Sequence, residues 1–411
     1  MKRIALLFAL VLISSFAWAA APVTIEIIQW WTPELPAGTF RALMDGFEAQ
    51  NPGIKVNLVS GPYSAIHDEI VTGAATGSLA DAVGLDGAWV NEFASQGTIG
   101  SLDEPMASAN YNPSQLGAII KVNGKSYMIP VVSFIYPVFT NLDMLHAAGI
   151  QKVPETRTEF LQAARKMTNP SKNQYGWVLP LSLQVPHGVQ NDIMAWVWAS
   201  GKKMLKDGHP DVTNPDVVSV LKFIQTMYKE GLISPGTLAK PDQDKIEEFV
   251  NGRVGMMINS AALLTTVRQR KPDFKLALAA LPAADGYAGR RGMAYACWGV
   301  GVNANSKHPA EAWKLVSYLM SPEANSHLAD IAHGFPGNVN APKPGFVTSD
   351  AMFGRVFEIF KSGYLINEFT GLPTAEDLMR TADTEIQLML EGKQTAEQTT
   401  ANIQANWSKV F

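Results

Sequence analysis

Thr24-Ile25-Glu26-Ile27-Ile28-Gln29-Trp30 is a β-rich run ending in aromatics, and the residues that follow it decide the fold. Residues 40–51 carry Phe40, Leu43, Met44 and Phe47 at steps of 3, 1 and 3, which is one face of a helix. Asn51-Pro52-Gly53 stops that helix. Ile54-Lys55-Val56-Asn57-Leu58 alternates as a second strand, and a helix fits between His67 and Thr76. Ala82-Val83-Gly84-Leu85 reads as a short buried strand and residues 90–96 as a helix. The order β-α-β-α-β-α predicts an α/β fold with a parallel sheet covered on both faces.

The later chain repeats the habit. Thr156 and Glu159 form a capping box, each side chain satisfying the other's orphan amide. Asn214-Pro215 opens a helix whose apolar face is Val217, Leu221, Ile224 and Tyr228, closed by Gly231. Residues 247–251 end a helix, and residues 254–258 read as a strand. Pro309 starts a helix with Trp313, Val316 and Met320 on one side. Residues 374–411 look helical throughout, with Thr395 and Gln398 in a second capping-box pattern. No Gly/Ser-rich linker divides the chain, so two lobes would be joined by ordered strands.

The 411 residues are 47% apolar and 17% charged, which excludes a disordered or disulfide-built chain and exceeds what one core usually serves. With 33 basic against 37 acidic residues, nothing invites nucleic acid as a partner. A single cysteine, Cys297, rules out an internal disulfide and any Cys-built metal site.

The chain opens Met1-Lys2-Arg3, runs apolar from Ile4 to Leu12, and reaches Ala17-Trp18-Ala19. A charged start, a short apolar stretch and small residues at the exit make residues 1–19 a secretory signal, cleaved before Ala20. The apolar run is too short to span a bilayer. No cysteine stands near the exit, so no lipid anchor is expected and the periplasm is the expected compartment. Without Lys2 and Arg3, 31 basic residues face 37 acidic ones, and the mature chain sits near −6.

Catalytic signatures are mostly missing. None of the seven histidines sits in H-E-x-x-H. There is no G-x-S-x-G elbow and no phosphate loop, and Gly299-Val300-Gly301 lacks the third glycine of a dinucleotide fingerprint. The acidic cluster Asp242, Asp244, Glu247 and Glu248 reads as a helix's first turn, and Cys297 as a small buried hydrophobe. No catalytic group, metal or cofactor is expected.

The aromatics carry more. Trp30 and Trp31 follow the first strand, Trp89 follows Leu85-Asp86-Gly87, and Trp298 precedes Gly299. Ligands of open α/β sheets bind at the carboxyl ends of strands, so Trp30, Trp89 and Trp298 are expected in a cleft. An indole face packs on the C–H face of a pyranose, while Asp, Asn and Gln take its hydroxyls. Trp313 reads as core. Trp298→Ala is expected to weaken ligand binding at least tenfold without unfolding the protein.

The chain resembles family 1 of the extracellular solute-binding proteins of ABC importers, the family of the maltose-binding protein. The strongest block is Val122-Asn123-Gly124-Lys125-Ser126-Tyr127-Met128-Ile129-Pro130, followed by Asn141-Leu142-Asp143-Met144-Leu145. Pro52-Gly53-Ile54, Asn251-Gly252-Arg253-Val254-Gly255, His308-Pro309-Ala310-Glu311-Ala312-Trp313 and His333-Gly334-Phe335-Pro336 add to it in order. The chain departs from the family pattern at Phe139-Thr140, at Asn259-Ser260-Ala261-Ala262, where many members carry Trp, and at Asn338 in place of Arg. These departures leave the fold reading intact and bear on ligand identity.

The resemblance implies a two-lobed periplasmic-binding-protein fold of type II: two α/β lobes with a hinge and an interlobe cleft. Crossings near residues 131, 281 and 335 would divide the chain into an N-terminal lobe (20–131 plus 282–335) and a C-terminal lobe (132–281 plus 336–411). Carried over by position, the ligand-binding residues would be Gln29, Trp30, Trp31, Asp86, Trp89, Phe134, Tyr136, Asn259, Ser260, Trp298 and Gly299, with Tyr63 and Trp196 as weaker candidates. The expected partners are a small carbohydrate and the permease subunits of an ABC transporter, the chain itself being a monomer. Two alternatives stay open. Among charged solutes, glycerol phosphate would need Arg or Lys in the cleft, and Arg290-Arg291 is the only basic pair in a loop near a strand; a polyamine would need two or more cleft carboxylates, of which only Asp86 is evident. A secreted polysaccharide-cleaving enzyme would need a second carboxylate paired with Asp86.

Overall fold

The computed structural model describes residues 21–411, so the expected signal and its exit site lie outside the described residues. Two sheets organise what is described. In the larger, the path runs Phe335–Pro336, Lys125–Ile135, Gly292–Val302, Ala82–Leu85, Val23–Gln29, Ile54–Ser60. Tyr364–Ile366 adds to Gly292–Val302, and Ile120–Val122 to Lys125–Ile135. The smaller sheet runs Leu276–Ala279, Val138–Asn141, Val254–Ile258, Tyr175–Trp177. Helices pack on both, giving two α/β lobes.

The opening stretch folds as its pattern predicts. Val23–Gln29 pairs parallel with Ile54–Ser60 from Val23↔Ile54 to Gln29↔Ser60, and with Ala82–Leu85 at Ile27↔Ala82. Helix Thr39–Gln50 buries Phe40, Leu43, Met44 and Phe47, and the Asn51 amide closes it by donating to Phe47 O at 3.0 Å. The next helix is Tyr63–Thr76, one turn longer at its start than expected, which brings Tyr63 into its first turn.

The predicted all-parallel sheet is corrected. Gly292–Val302 enters antiparallel to Ala82–Leu85, at Gly299↔Leu85 through Val302↔Ala82, and Lys125–Ile135 lies antiparallel beyond it. The strand that closes this sheet therefore returns from far down the chain. In the second lobe alternate residues feed opposite cores: Met256 and Ile258 join Val138, whereas Met257 joins Phe139. A sheet buried on both faces reads as the near-continuous apolar run seen at residues 254–258.

The eleven-residue strands Lys125–Ile135 and Gly292–Val302 pair from Tyr295↔Ile135 to Val300↔Ile129, with a bulge at Trp298/Gly299. Residues 299–302 sit in the first lobe's sheet, and residues 292–294 pair with Tyr364–Ile366. Tyr136-Pro137 alone separates Lys125–Ile135 from Val138–Asn141 of the second sheet. Continuous strands thus join the lobes, and a bulge within them supplies the local twist and bend.

Both capping boxes form. Thr156 Oγ1 accepts from Glu159 N at 3.2 Å while Glu159 accepts from Thr156 N at 3.1 Å, and Thr395 and Gln398 repeat this at 3.2 and 2.8 Å. Each contributes about 1 kcal/mol. Helix Pro215–Lys229 is capped by Asn214 and buries Met227 three residues after Ile224, leaving Tyr228 only half-buried at the edge of that face. The tail is two helices, Ala375–Leu390 and Ala396–Trp407, interrupted at Gly392, whose φ of 78° belongs to the left-handed region. Among the described residues, no helix is long and apolar enough to cross a membrane.

Candidate functional site

The first strand ends in a turn built by Gln29. Its amide donates to Thr32 Oγ1 at 2.8 Å and its carbonyl accepts from Thr32 N at 2.9 Å. Gln29 is buried and serves this turn, which sets the directions of Trp30 and Trp31. Trp30 meets Tyr63 and Trp89 edge-on, with ring centroids 5.2 and 5.3 Å away, and Tyr63 and Trp89 lie 4.6 Å apart. Trp31 stacks on Trp298 at 5.5 Å and 13°, and Phe134 meets Trp298 edge-on at 5.1 Å. Trp30 and Trp31, 6.1 Å apart, join the two groups. The structure thus brings together Trp30, Trp31, Tyr63, Trp89, Phe134 and Trp298.

Asp86 stands beside this cluster. Its carboxylate accepts from Ala88 N at 2.8 Å, closing the turn that leads to Trp89. Burial pushes its carboxyl above the ordinary value; His187 pulls it back and Glu376 adds to the rise. Tyr63 is pushed well up by burial first, then by the charges of Asp86 and Glu376. Trp31 Nε1 is buried without a hydrogen-bond partner, as are the core indoles of Trp177, Trp196 and Trp313, while the Tyr63 hydroxyl stands between Asp86 and Trp89.

The second lobe faces this wall closely. Asn91 Nδ2 donates to Gly371 O at 3.1 Å, and Gly371 N donates to Gly87 O at 3.0 Å. A Cβ on Gly87 would stand 2.7 Å from Thr370, so glycine is what lets the two segments touch. The His187 ring lies 6.2 Å from Tyr63. Trp30, Trp31, Trp89 and Trp298 are all buried and belong to the first sheet's hydrophobic core cluster, so the expectation that Trp30, Trp89 and Trp298 line an open cleft is not what their exposure shows.

Asn259 and Ser260 follow strand Val254–Ile258. Asn259 Oδ1 accepts from Ser260 N at 2.8 Å, and Asn259 N donates to Pro137 O at 3.3 Å, so Asn259, at 4% exposure, anchors this corner to the hinge. Beneath it Lys245, wholly buried, donates to Ile258 O at 2.7 Å and Asp192 Oδ2 at 2.8 Å and lies 2.7 Å from Asp242. Asp192 belongs to a π-helical segment, Val189–Met194, a form frequent at functional sites. Burial pushes the Asp192 carboxyl up to about 7 against the pull of Lys245. Tyr136, at the hinge, feels Asp242, Asp86, Asp192 and Glu34 together, and burial drives its hydroxyl far above the ordinary value. Glu34 is solvent-exposed as a residue, yet its carboxyl is crowded enough to be pushed up to about 7, with Trp298 pulling it back.

Two expected residues lie elsewhere. Trp196 is fully buried against Phe160, Phe223 and Trp177 at 4.8, 4.9 and 5.9 Å, inside the second lobe's core. Gly299 presents no side chain, and a Cβ there would meet Met128 at 2.3 Å. Glu34, His187, Glu376, Asp192 and Lys245 carry no local sequence signal that groups them; Asp242 and Asp244 precede helix Lys245–Val250, as the acidic cluster predicts. Cys297 is buried, and burial pushes its thiol far up. Among the described residues no cluster of three metal-ligating side chains occurs.

Asp383, on helix Ala375–Leu390, is fully buried with both carboxylate oxygens unpartnered. Burial, then Asp192, raises its pKa well above the ordinary value, against the pull of Arg380. A raised folded pKa means that the native state holds the proton longer than the unfolded chain. Stability therefore falls as pH rises from about 4, the unfolded carboxylate value, toward the folded one. Asp383→Asn is expected to match the parent's melting temperature at pH 4 and exceed it by at least about 2 °C at pH 8. Thermal unfolding at both pH values checks this; a variant no more stable at pH 8 refutes it.

A binding protein of Brucella abortus is 27% identical over 322 residues, covering 76% of this chain and 75% of that protein. A multiple sugar-binding protein of Streptococcus mutans is 23% identical over 323 residues, 75% of this chain and 74% of its own. Among solved structures, an ABC transporter solute-binding protein of Thermotoga lettingae bound with α-D-tagatose superposes with a TM-score of 0.77 at 22% identity, covering 95% of this chain and 100% of that one. A maltose-bound protein of T. maritima gives 0.75 at 21% identity, with 95% and 100% covered. Family members and neighbours are solute-binding proteins and not enzymes, which removes the polysaccharide-cleaving alternative even though Glu376 stands near Asp86. The model of the bacterial extracellular solute-binding protein family matches residues 32–326, most of the chain, and the chain belongs to that family.

Proposed function

We propose that this protein is the periplasmic sugar-capturing component of an ABC importer. It takes a mono- or oligosaccharide into the interlobe cleft and delivers it to the membrane permease. The observation that carries this reading is the aromatic wall Trp30, Tyr63, Trp89 and Trp298, with Asp86 at its edge. Indole faces suit sugar C–H surfaces, and a carboxylate takes sugar hydroxyls. Tagatose and maltose in two similar structures, and a sugar-binding relative, support it. Asp86, Asn259, Ser260, Phe134 and Tyr136 belong to the same cleft in this reading, together with His187 and Glu376.

In the same reading, residues 20–131 and 282–335 form the N-terminal lobe and residues 132–281 and 336–411 the C-terminal one. Residues 1–19 are a cleaved leader, no lipid is attached, and the mature monomer works in the periplasm without nucleic acid. A ligand that touches both lobes binds the closed state alone and so shifts the population toward it.

A second reading has one observation in its favour. Glu376 and Glu34 bring further carboxylates to the cleft beside Asp86, which would suit a polyamine or an amino sugar. The phosphate reading has no such support, since Arg290 and Arg291 line cavities in which none of the wall aromatics takes part. A thermal-shift panel of neutral sugars, polyols, amino sugars and polyamines separates these, because a ligand of the folded state raises its melting temperature. Stabilisation by polyamines alone would refute carbohydrate capture.

With the cognate sugar in hand, Asp86→Asn is expected to weaken binding by roughly 10–100-fold, the worth of a charge-assisted hydrogen bond. The Asn carbonyl still accepts from Ala88 N, so the turn survives. An unchanged dissociation constant by calorimetry would remove Asp86 from the site.

A further inference from the structure

Arg290 remains outside the cleft, at the edge of a cavity of about 600 Å³. That volume lies within the ~300–1,000 Å³ of small-molecule sites. Ser133 and Tyr295 line the cavity from the two hinge strands. Successive strand residues face opposite ways, so Ser133 points away from the side that Phe134 gives to Trp298. The cavity and the Phe134–Trp298 pair therefore occupy opposite faces of the hinge strands, while Tyr295 lines the cavity and also packs against the aromatic cluster.

Three cations border this cavity: Arg290, Lys343 and Lys361. None of its lining residues is Asp or Glu. Among the described residues, none of the three cations takes part in an ion pair. Lys343 Nζ and Lys361 Nζ lie 4.7 and 5.8 Å from the centroid of one ring, Phe357. Arg290 Nη2 donates to Gly363 O, which holds its fork at the rim. A cation over an exposed ring gains only about 0.5–1 kcal/mol and keeps its charge. Three positive charges thus converge on one concavity that holds no negative one. A cleft lined by one sign of charge concentrates ions of the other.

We propose that this cavity binds a small organic phosphate. Arg290 meets the phosphate with its planar fork, Lys343 and Lys361 add point charges, and Phe357 and Phe360 receive an apolar or ring-bearing body. Phosphate is favoured over a single carboxylate because three cations without an acid neutralise a dianion.

The test is calorimetric titration of the exported chain with phenyl phosphate at fixed low ionic strength, because salt screens such a site. Saturable one-to-one binding with a dissociation constant below about 1 mM is expected. The double variant Lys343→Gln, Lys361→Gln alters two exposed side chains; it should melt as the parent does and bind at least tenfold more weakly. Inorganic phosphate, lacking the ring, should bind more weakly through the same lysines. Absence of saturable heat up to about 10 mM, or undiminished binding by the double variant, overturns the proposal. Equal affinity for inorganic and phenyl phosphate overturns its aromatic half.

Discussion

Lys245→Met is expected to lower the unfolding free energy by about 3–5 kcal/mol. Lys245 is wholly buried, and its ammonium is held by Asp192, Asp242 and the Ile258 carbonyl. Burial alone would lower its pKa, but the two carboxylates outweigh burial and hold it charged, above its ordinary value. Methionine fills nearly the same volume, so packing changes little and the loss is electrostatic. Two carboxyl groups then stand without their cation, one of them Asp192, whose Oδ1 has no partner even now. The double variant Asp192→Asn, Lys245→Met removes one of those charges as well and should recover part of the loss, since neutral replacement of a buried pair is often tolerated. Urea unfolding of parent, single and double variants measures both terms. A single variant within about 1 kcal/mol of the parent would show that the network contributes little.

This network also shows where sequence stops informing structure. Lys245 and Asp192 are 53 residues apart, and neither carries a local mark of its partner. The capping boxes at Thr156 and Thr395 span three residues, so they could be read directly and both form. The three opening strands were legible because their apolar periods and stop signals are local. The antiparallel entry of Gly292–Val302 was not, since register with Leu85 is decided by packing in space. The aromatics divide in the same way. Trp30 and Trp89 follow strands, as their positions in the sequence show, and both pack with Tyr63 in the first core cluster. Trp196 carries the same side chain on a buried helical segment, and Phe160 and Phe223, from two distant helices, enclose it. His187 opens the short helical turn that runs into Val189–Met194, 124 residues from Tyr63 in sequence, and only tertiary packing brings the two rings together.

Trp298→Ala should weaken sugar binding at least tenfold and destabilise the protein, a double effect that the sequence alone did not foretell. Its ring is only 6% exposed, stacked on Trp31 and met edge-on by Phe134 at the bulge of a hinge strand. Removing a buried indole leaves a cavity and costs about 3–5 kcal/mol. Part of any affinity loss could then reflect a loosened wall, because Trp31 loses the face that holds it. Trp298→Phe separates the two contributions. It keeps an aromatic face beside Trp31 and much of the volume, so most of the stability should return. Affinity should return only in part, since a smaller plate covers less of a pyranose and offers no indole N–H. Dissociation constants are to be compared at a temperature where circular dichroism shows every variant folded. If Trp298→Ala then binds the cognate sugar as tightly as the parent, Trp298 is a pillar of the first lobe's core, and the ligand rests on Trp30, Tyr63 and Trp89 alone.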